Sequence, residues 1–468
     1  MPWFLDGLDQ WSLPGGLQLP DCGRARWASP AISGSETIFD KQRKDNENKL
    51  RSNKMSKEKF KYKRRSVLLS GLNLLALGAM NVKAQDVKPL TIGVLTDMSG
   101  IYGDVTGQGS VIAAKMAMED FLAQGGRSTR PIKIISADHQ NKADIAAATA
   151  RQWIDREGVD VIVDLPNSAV ALAVNNIVQG KNKVMLVSGA SSSDLTGKNC
   201  SPNTIQWTYD THALAAGAAT AITQSGGKTW FNLTVDYAFG HAMARDLANT
   251  VAKNGGKVIG SVLTPLNTPD FSSFLLQAQS SKAQVIGLIN AGGDTINSIK
   301  QAVEFGITNS KQRLVATVLY INDVHALGLP IAQGLQFTEA FYWDLNAQTR
   351  AWSQRYAKRL DGRYPSALQA GVYSSVLHYL RAATALEDPK DGKRVVEKMK
   401  ALATDDPLFG KGSIRVDGRK IHDMYLFEVK KPQESKYPWD YYHVVKTIPA
   451  ADVWRPLSEG GCSFVKSS

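Results

Sequence analysis

Cysteine is scarce in this chain. Three are present among 468 residues, Cys22, Cys200 and Cys462, and their separations exclude a zinc knuckle and a redox Cys-x-x-Cys motif. The seven histidines are scattered, and no H-E-x-x-H pair occurs, which removes a common helix-borne metal site. Asp138 and His139 are adjacent at the end of an expected strand, so their side chains diverge and a turn contact is expected rather than a metal site. Phosphate loops of the G-x-x-x-x-G-K-[ST] type are missing. Gly107-Gln108-Gly109 lacks the third glycine and the acidic residue of a dinucleotide fingerprint, and Gly189-Ala-Ser191-Ser-Ser193 lacks the final glycine of a nucleophile elbow. No catalytic residue, metal site or cofactor is therefore expected, and the chain is not read as an enzyme.

Long hydrophobic runs are missing too. Ser66–Met80 is uncharged but shorter than the roughly 20 residues that span a bilayer. Lys57, Lys59, Lys61, Lys63, Arg64 and Arg65 precede it, and Val82-Lys83-Ala84 follows it, with small residues three and one positions before Gln85. A basic region, an apolar core and a small-residue cut site make an export signal. Residues 55–84 are expected to be removed and the mature chain to work in the periplasm. The paired arginines admit twin-arginine export beside the Sec route. Residues 1–54 show no clear periodicity, and Met55 resembles a start. They are read as an upstream extension outside the fold, the alternative being a short N-terminal module.

Charge of one sign does not dominate once the signal is set aside. Residues 1–84 carry 15 basic and 8 acidic groups, and the remaining 384 residues carry 40 and 35. A mild, dispersed positive charge does not suggest a nucleic-acid binder. In an oxidising compartment Cys200 and Cys462 form an even pair, for which one disulfide is the economical reading and two separate thiols the alternative.

The mature chain is too long for one core and suggests two domains. Apolar strands alternate with amphipathic helices. Strands are expected at Leu90–Thr96, Ile132–Ala137, Val159–Asp164 and Val184–Ser188, with helices at Val111–Leu122, Ala143–Arg156 and Ala169–Gln179 between them. The pattern pauses at Thr204–Tyr209 and restarts. Helices His212–Ser225, His241–Asn254, Phe271–Ser280 and Thr295–Phe305 alternate with strands Thr229–Val235, Val258–Leu263, Val285–Ile289 and Leu314–Val318. Two helical segments, Gln348–Leu360 and Gln369–Leu386, and a strand-rich end follow. This order predicts α/β architecture: two doubly wound parallel sheets covered on both faces. Ligands of such sheets sit beyond the carboxyl ends of the strands.

Those ends carry small and hydroxylated residues in the first half: Asp97–Gly103 with Tyr102, Asn167-Ser168, and Gly189-Ala190-Ser191. Hydroxyls and exposed backbone N–H groups at helix starts suit a carboxylate, while simple helix capping by Asn167, Ser168 or Ser192 is the plain alternative. In the second half the same positions hold aromatics and amides: Tyr237 and Phe239, Asn290–Asp294 with Gly292, and Tyr320–Asp323.

Ile92-Gly-Val-Leu-Thr-Asp-Met-Ser-Gly100, Val187-Ser-Gly-Ala-Ser191 with Asp194-Leu-Thr196, Asp236-Tyr-Ala-Phe-Gly240 and Tyr373 resemble the substrate-binding proteins of branched-chain-amino-acid-type ABC transporters, the family of the leucine/isoleucine/valine-binding protein. The resemblance covers Pro89–Lys466. It implies a type I periplasmic-binding-protein fold whose two lobes are joined by a hinge of three crossings. The crossings are expected near Trp207–Tyr209, Thr338–Phe341 and Asp417–Asp423, giving one lobe of 85–207 with 341–417 and another of 208–340 with 418–468. Carried onto this sequence, the carboxylate-binding loops fall on Asn167 and Ser168 and on Gly189, Ala190 and Ser191, and the facing aromatic on Tyr237 or Phe239. Tyr102 and Gly292 complete the expected lining. The acid that holds an α-amino group falls near Asp323, where the surrounding residues depart from the family pattern, so recognition of an amino group stays open. Phe239, with Tyr342 and Trp343, leans the pocket toward apolar or aromatic acids.

The resemblance implies a monomeric solute-binding protein that delivers a small carboxylate, an amino acid or an aromatic or aliphatic acid, to an inner-membrane ABC permease. A sensing-receptor domain of the same fold is the alternative, and an exported enzyme a more distant one. Intact-mass measurement of the exported protein is expected to place its first residue at Gln85; a product that keeps residues 1–54 would overturn both the cut site and the start at Met55.

Overall fold

The computed structural model describes residues 87–465. The extension, the signal segment, Cys22 and the cut before Gln85 lie outside the described residues. The first lobe runs β1 (Leu90–Thr96), α1 (Gly107–Ala123), β2 (Ile132–Asp138), α2 (Ala143–Gln152), β3 (Val159–Asp164), α3 (Ser168–Gly180), β4 (Val184–Val187) and β5 (Thr204–Gln206). Its sheet is parallel, in the order β2-β1-β3-β4-β5. The strands β1, β3 and β4 are buried at every position, as continuous apolar runs require when helices cover both faces. β2, at the edge, is only half-buried.

The second lobe repeats the scheme with α4 (Thr211–Gln224), β6 (Thr229–Val235), α5 (Ala238–Lys253), β7 (Lys257–Thr264), α6 (Ser272–Ser280), β8 (Val285–Ile289), α7 (Gly293–Glu304), β9 (Arg313–Ala316) and the short α8 (Ile321–Leu327) and α9 (Leu329–Ala332). Its parallel sheet has the order β7-β6-β8-β9. After β10 (Gln336–Glu339) come α10 (Ala347–Ala357), α11 (Ala367–Ala383), α12 (Gly392–Ala401), β11 (Thr404–Asp406), β12 (Gly410–Ile414), β13 (Lys420–Ile421), β14 (Met424–Val429), β15 (Tyr442–Ile448) and α13 (Ala450–Val453). β10, β14 and β15 form one antiparallel sheet, and β11, β12 and β13 another.

Some expectations shift in detail. The helix expected over Ala143–Arg156 ends as regular helix at Gln152 and continues as a wider turn, Trp153–Glu157, closed by Gly158 at φ +69°. Trp153 packs over β1 at Gly93, where a Cβ would stand 2.5 Å from the indole. The pause at Thr204–Tyr209 contains β5, a three-residue strand too short to show a period. The segments α8, β10 and α12 were likewise outside the expected pattern.

Cys200 and Cys462 are joined, with Cα atoms 5.6 Å apart across 262 residues of sequence. The tail also donates from Arg455 Nη2 to Ser193 O at 3.0 Å. Loop closure of this length is worth roughly 5–6 kcal/mol in the chain-entropy picture, and the bond holds the last residues onto the first lobe.

Three chain segments meet in a dense polar layer between the lobes. Gln206 N donates to Gly418 O at 3.0 Å, Arg419 Nη1 to Tyr209 O at 2.6 Å, and His422 Nε2 bonds Thr208 O at 2.9 Å. Arg419 lies over the Trp454 ring at 4.6 Å. Lys420 is fully buried; its ammonium sits 4.4 Å from the Phe409 ring and 5.2 Å from that of Trp207, with no hydrogen-bond acceptor among the described residues. Burial lowers this group to about 8, against the opposing pull of Asp406, from an ordinary lysine value of about 10.4. The unfolded chain thus keeps its proton over a range in which the folded chain has released it, so this group penalises folding below about 8 and the penalty is relieved as pH rises toward about 10.4. Replacing a buried, incompletely bonded charge by an apolar side chain of similar volume is neutral or stabilising by about 1–4 kcal/mol. Lys420→Met is therefore expected to hold or raise the melting temperature at neutral pH and to flatten its rise under alkaline conditions, as thermal melts across pH will show. A lower melting temperature at every pH would mean that the two ring contacts outweigh the burial cost.

Candidate functional site

The carboxyl ends of both parallel sheets face one another. After β1, the buried Asp97 carboxylate accepts from Gly100 N at 2.7 Å, Tyr102 N at 2.9 Å and Asn141 Nδ2 at 2.6 Å. These bonds shape the loop into a strap that crosses to the second lobe. There Gly293 N donates to Ile101 O at 3.1 Å, and the Tyr102 and Tyr237 hydroxyls meet at 2.8 Å. Gly292 caps α7 at φ +60°, and a Cβ there would lie 2.5 Å from Ile101 O. Only glycine permits both the backbone angle and the approach. Burial raises both tyrosine hydroxyls well above their ordinary pKa, so they meet as neutral groups.

β3 ends in two left-handed residues, Asp164 at φ +84° and Leu165 at φ +54°, a conformation that costs about 1–3 kcal/mol per residue and persists only where surroundings hold it. Here Asp164 O accepts from Ser188 N and Gly189 N, both at 3.2 Å, and Leu165 N donates to Leu95 O. The Asp164 carboxyl takes the Ser188 hydroxyl at 3.0 Å, and burial raises it to about 6. The turn lets Asn167 cap α3: its Oδ1 accepts from Ala169 N at 2.9 Å and Val170 N at 3.2 Å. Ser168 Oγ accepts from Ser192 N at 3.2 Å, which ties this loop to the one after β4. Gly189 packs on Pro166, where a Cβ would fall 2.5 Å from Pro166 Cα. Ala190 is buried and its carbonyl accepts from Gln206 Nε2 at 3.0 Å. The carbonyl of Ser191 accepts from Thr211 N at 2.7 Å, while its hydroxyl has no partner among the described residues.

The structure thus brings Asn167, Ser168, Gly189, Ala190 and Ser191 into one patch, and Tyr102, Tyr237 and Gly292 into another across the cleft. Phe239 is buried in the second lobe, its ring centroid 5.9 Å from that of Tyr237. Tyr342 and Trp343 pack elsewhere than expected: both donate to Trp439 O, at 3.2 and 2.8 Å, and Trp343 stands 4.0 Å from Tyr364. They belong to an aromatic cluster with Trp439, Tyr364 and Tyr442. Asp323 is buried, caps α8 by accepting from Tyr320 N at 3.0 Å, and is raised by burial to about 7. It lines a cavity of about 410 Å³ between the lobes, with Ser99, Gly103, Gly293, Asn322 and Arg363.

Two buried residues near the strand ends, Tyr209 and Glu339, escaped the sequence reading. The Tyr209 hydroxyl meets that of Tyr320, and Glu339, on β10, is 3% exposed. Burial and the charge of Asp323 raise Glu339 well above the carboxylate range. Tyr209 and Glu339 fall inside segments read as crossings, so their side chains were assigned to the hinge. On the opposite flank a second polar contact joins the lobes: Asp246 Oδ2 accepts from Ser193 Oγ at 2.7 Å and Thr211 Oγ1 at 2.6 Å, and Arg245 reaches Asp194 at 3.1 Å.

Two parallel-sheet lobes closed over polar strand ends define a bilobal binding protein rather than a catalyst. The family model for periplasmic binding proteins matches residues 89–435, and the chain belongs to that family, whose members are transport binding proteins and not enzymes. A periplasmic binding protein from Burkholderia mallei is 51% identical, with a TM-score of 0.78 over 81% of this chain and 100% of its own. A branched chain amino acid ABC transporter periplasmic ligand-binding protein from Burkholderia xenovorans LB400 is 40% identical, with a TM-score of 0.71 over 80% and 99%. A solute-binding protein of an ABC transporter from R. palustris, solved in complex with benzoate, shares the fold at 19% identity, with a TM-score of 0.69 over 80% and 99%.

Because Oδ1 of Asn167 serves two helix N–H groups, Asn167→Ala is expected to destabilise the protein by about 1 kcal/mol, the usual worth of an N-cap. Denaturant melts will measure it, and an unchanged midpoint would show that the cap is dispensable.

Proposed function

We propose that this chain is an exported, monomeric solute receptor that captures a small carboxylate-bearing ligand between its lobes and presents it to an inner-membrane ABC permease. The observation that carries this reading is the Ser191 hydroxyl. It lies at the carboxyl end of β4, beside the α3 N-terminus, buried to 7% exposure and free of protein partners among the described residues. A carboxylate placed there would gain the hydroxyl and nearby backbone N–H groups. The bound benzoate of the R. palustris protein and the transporter assignment of the Burkholderia xenovorans protein support the ligand class and the partner. The export signal over 55–84 supports a periplasmic location.

In this reading residues 85–207 with 341–417 form one lobe and 208–340 with 418–468 the other, and the lobes turn about the three crossings. The Tyr102–Tyr237 contact and the Ile101–Gly293 bond are made across the cleft and would separate on opening. Of the proposed lining, Ser191 and the backbone of Gly189 and Ala190 would meet the carboxylate. Ser168 and Asn167 would orient that patch, and Tyr102, Tyr237, Phe239, Gly292 and Asp323 would enclose the rest of the ligand.

A ligand that binds only the folded state raises its apparent stability. A thermal-shift screen of amino acids, aromatic acids and short aliphatic acids is expected to give at least one clear upward shift. For that compound Ser191→Ala should weaken binding roughly tenfold or more, since one charge-assisted bond contributes about 1.5–3 kcal/mol, while the melting temperature of the free protein stays put. Unchanged affinity in calorimetry would place the carboxylate elsewhere.

A further inference from the structure

We infer that Asp246 is a positioning residue of the carboxylate patch: from the second lobe it grips the loop that carries Ser191 and yokes that loop to the helix that bears Phe239. This rests on the reading above that Ser191 meets a carboxylate, and it names what sets that hydroxyl in place.

The helix α5 buries one stripe, with Phe239, Ala242, Met243, Leu247 and Val251 recurring at helical spacing. Asp246 stands in that stripe, 4% exposed, and is its only charged residue. An apolar side chain would fill such a place at lower cost, because taking a carboxylate out of water is expensive. The carboxylate is therefore explained by what it holds rather than by packing. Its Oδ2 accepts from Thr211 Oγ1 at 2.6 Å and from Ser193 Oγ at 2.7 Å, and both of those residues are fully buried. Its Oδ1 accepts from Arg245 Nε at 3.2 Å, and Arg245 Nη2 donates in turn to Ser193 Oγ at 2.8 Å.

The two hydroxyl residues lead directly to Ser191. Thr211 N donates to Ser191 O at 2.7 Å, and Thr211 Oγ1 accepts from Ser193 N at 3.1 Å. Asp246, Thr211, Ser191 and Ser193 thus form a closed circuit of bonds. From the first lobe, Ser168 Oγ takes Ser192 N, and Gln206 Nε2 reaches the carbonyls of Ala190 and Ser192. The Ser191 loop is therefore shared between the lobes. Phe239 stands seven residues before Asp246 on α5, which is about two turns along the same helix face. One helix carries the aromatic residue of the facing lobe at its start and the grip on the Ser191 loop further on, so a shift of the helix moves both together.

Three substitutions test this. Asp246→Asn keeps the shape and weakens both hydroxyl bonds by removing the charge. Thr211→Val removes one hydroxyl, and Thr211→Ser keeps it. Affinities are read by calorimetry with L-leucine, L-phenylalanine, benzoate and isocaproate, using each compound that binds the unmodified protein. Asp246→Asn and Thr211→Val should each weaken binding about fivefold or more, and Thr211→Ser should hold it. Thr211→Val reads the same grip from the other side should Asp246→Asn fold poorly. In a Ser191→Ala background Asp246→Asn should cost less than about twofold, because residues that act as a unit are not additive. Hydrogen exchange of the free protein should quicken over Gly189–Thr196 in Asp246→Asn, with the strands of the first lobe unchanged. Equal losses in both backgrounds, or unchanged exchange, would show a merely structural contact; either result overturns the inference and leaves carboxylate capture standing. A panel in which no compound binds the unmodified protein overturns both.

Discussion

Parallel pairing is the constraint on which this molecule depends. In a parallel sheet every strand ends at the same edge, so all the loops that follow β1, β3 and β4 emerge together, as do those that follow β6, β8 and β9. Each edge presents helix starts and backbone N–H groups. Two such edges face each other, and many of the polar groups that meet between the lobes come from them: the Ile101-Tyr102 strap, the Asn167–Ser168 and Ser188–Ser193 loops, Tyr237, Gly292–Gly293 and Tyr320. No loop has to travel far, and each is set by capping and turn bonds within a few residues of its strand.

Closing these edges over one another has an electrostatic cost. Asp164, Asp323 and Glu339 are all raised by burial, and the cations closest to the crossings are committed to backbone and rings. Asp164 also holds a left-handed backbone. Strain and uncompensated charge gather at the carboxyl ends of the strands, while the rest of both sheets follows ordinary rules of apolar burial. That concentration is what a site shaped for something other than its own stability looks like.

The alternating pattern made nearly all of both parallel sheets legible, since β1, β3, β4 and β8 are buried on both faces and read as unbroken apolar runs. The Cys200–Cys462 bond was legible from arithmetic and compartment. What escaped notice was local and short. β5 has three residues, and β10 is a four-residue strand whose partner β14 comes about ninety residues later in the chain. Glu339 therefore carried no periodic signal that marked it as buried. For Tyr342 and Trp343, aromatic identity says that a side chain will be covered, but only topology says by what, and here the cover is Trp439 and Tyr442. Asn167 was legible in both of its possible roles, because the same oxygen that suits an anion site's helix start is the one that caps the helix.

Tyr209 shows why hinge and site could not be separated from the sequence. Its carbonyl accepts from Arg419, inside the crossing layer, and its hydroxyl meets Tyr320, at the end of the second sheet. A single residue therefore has its backbone in the hinge and its ring in the cleft. Glu339 has the same double address, paired along β10 with Tyr425 and facing Asp323 electrostatically. The crossings are more than connectors; Tyr209 reaches from one of them to a residue at the end of the second sheet. Any rotation about them displaces Tyr209 and Glu339 relative to Tyr320 and Asp323. A ligand that contacted those residues together would favour one arrangement of the lobes over another, which is the differential affinity that ligand-driven closure requires.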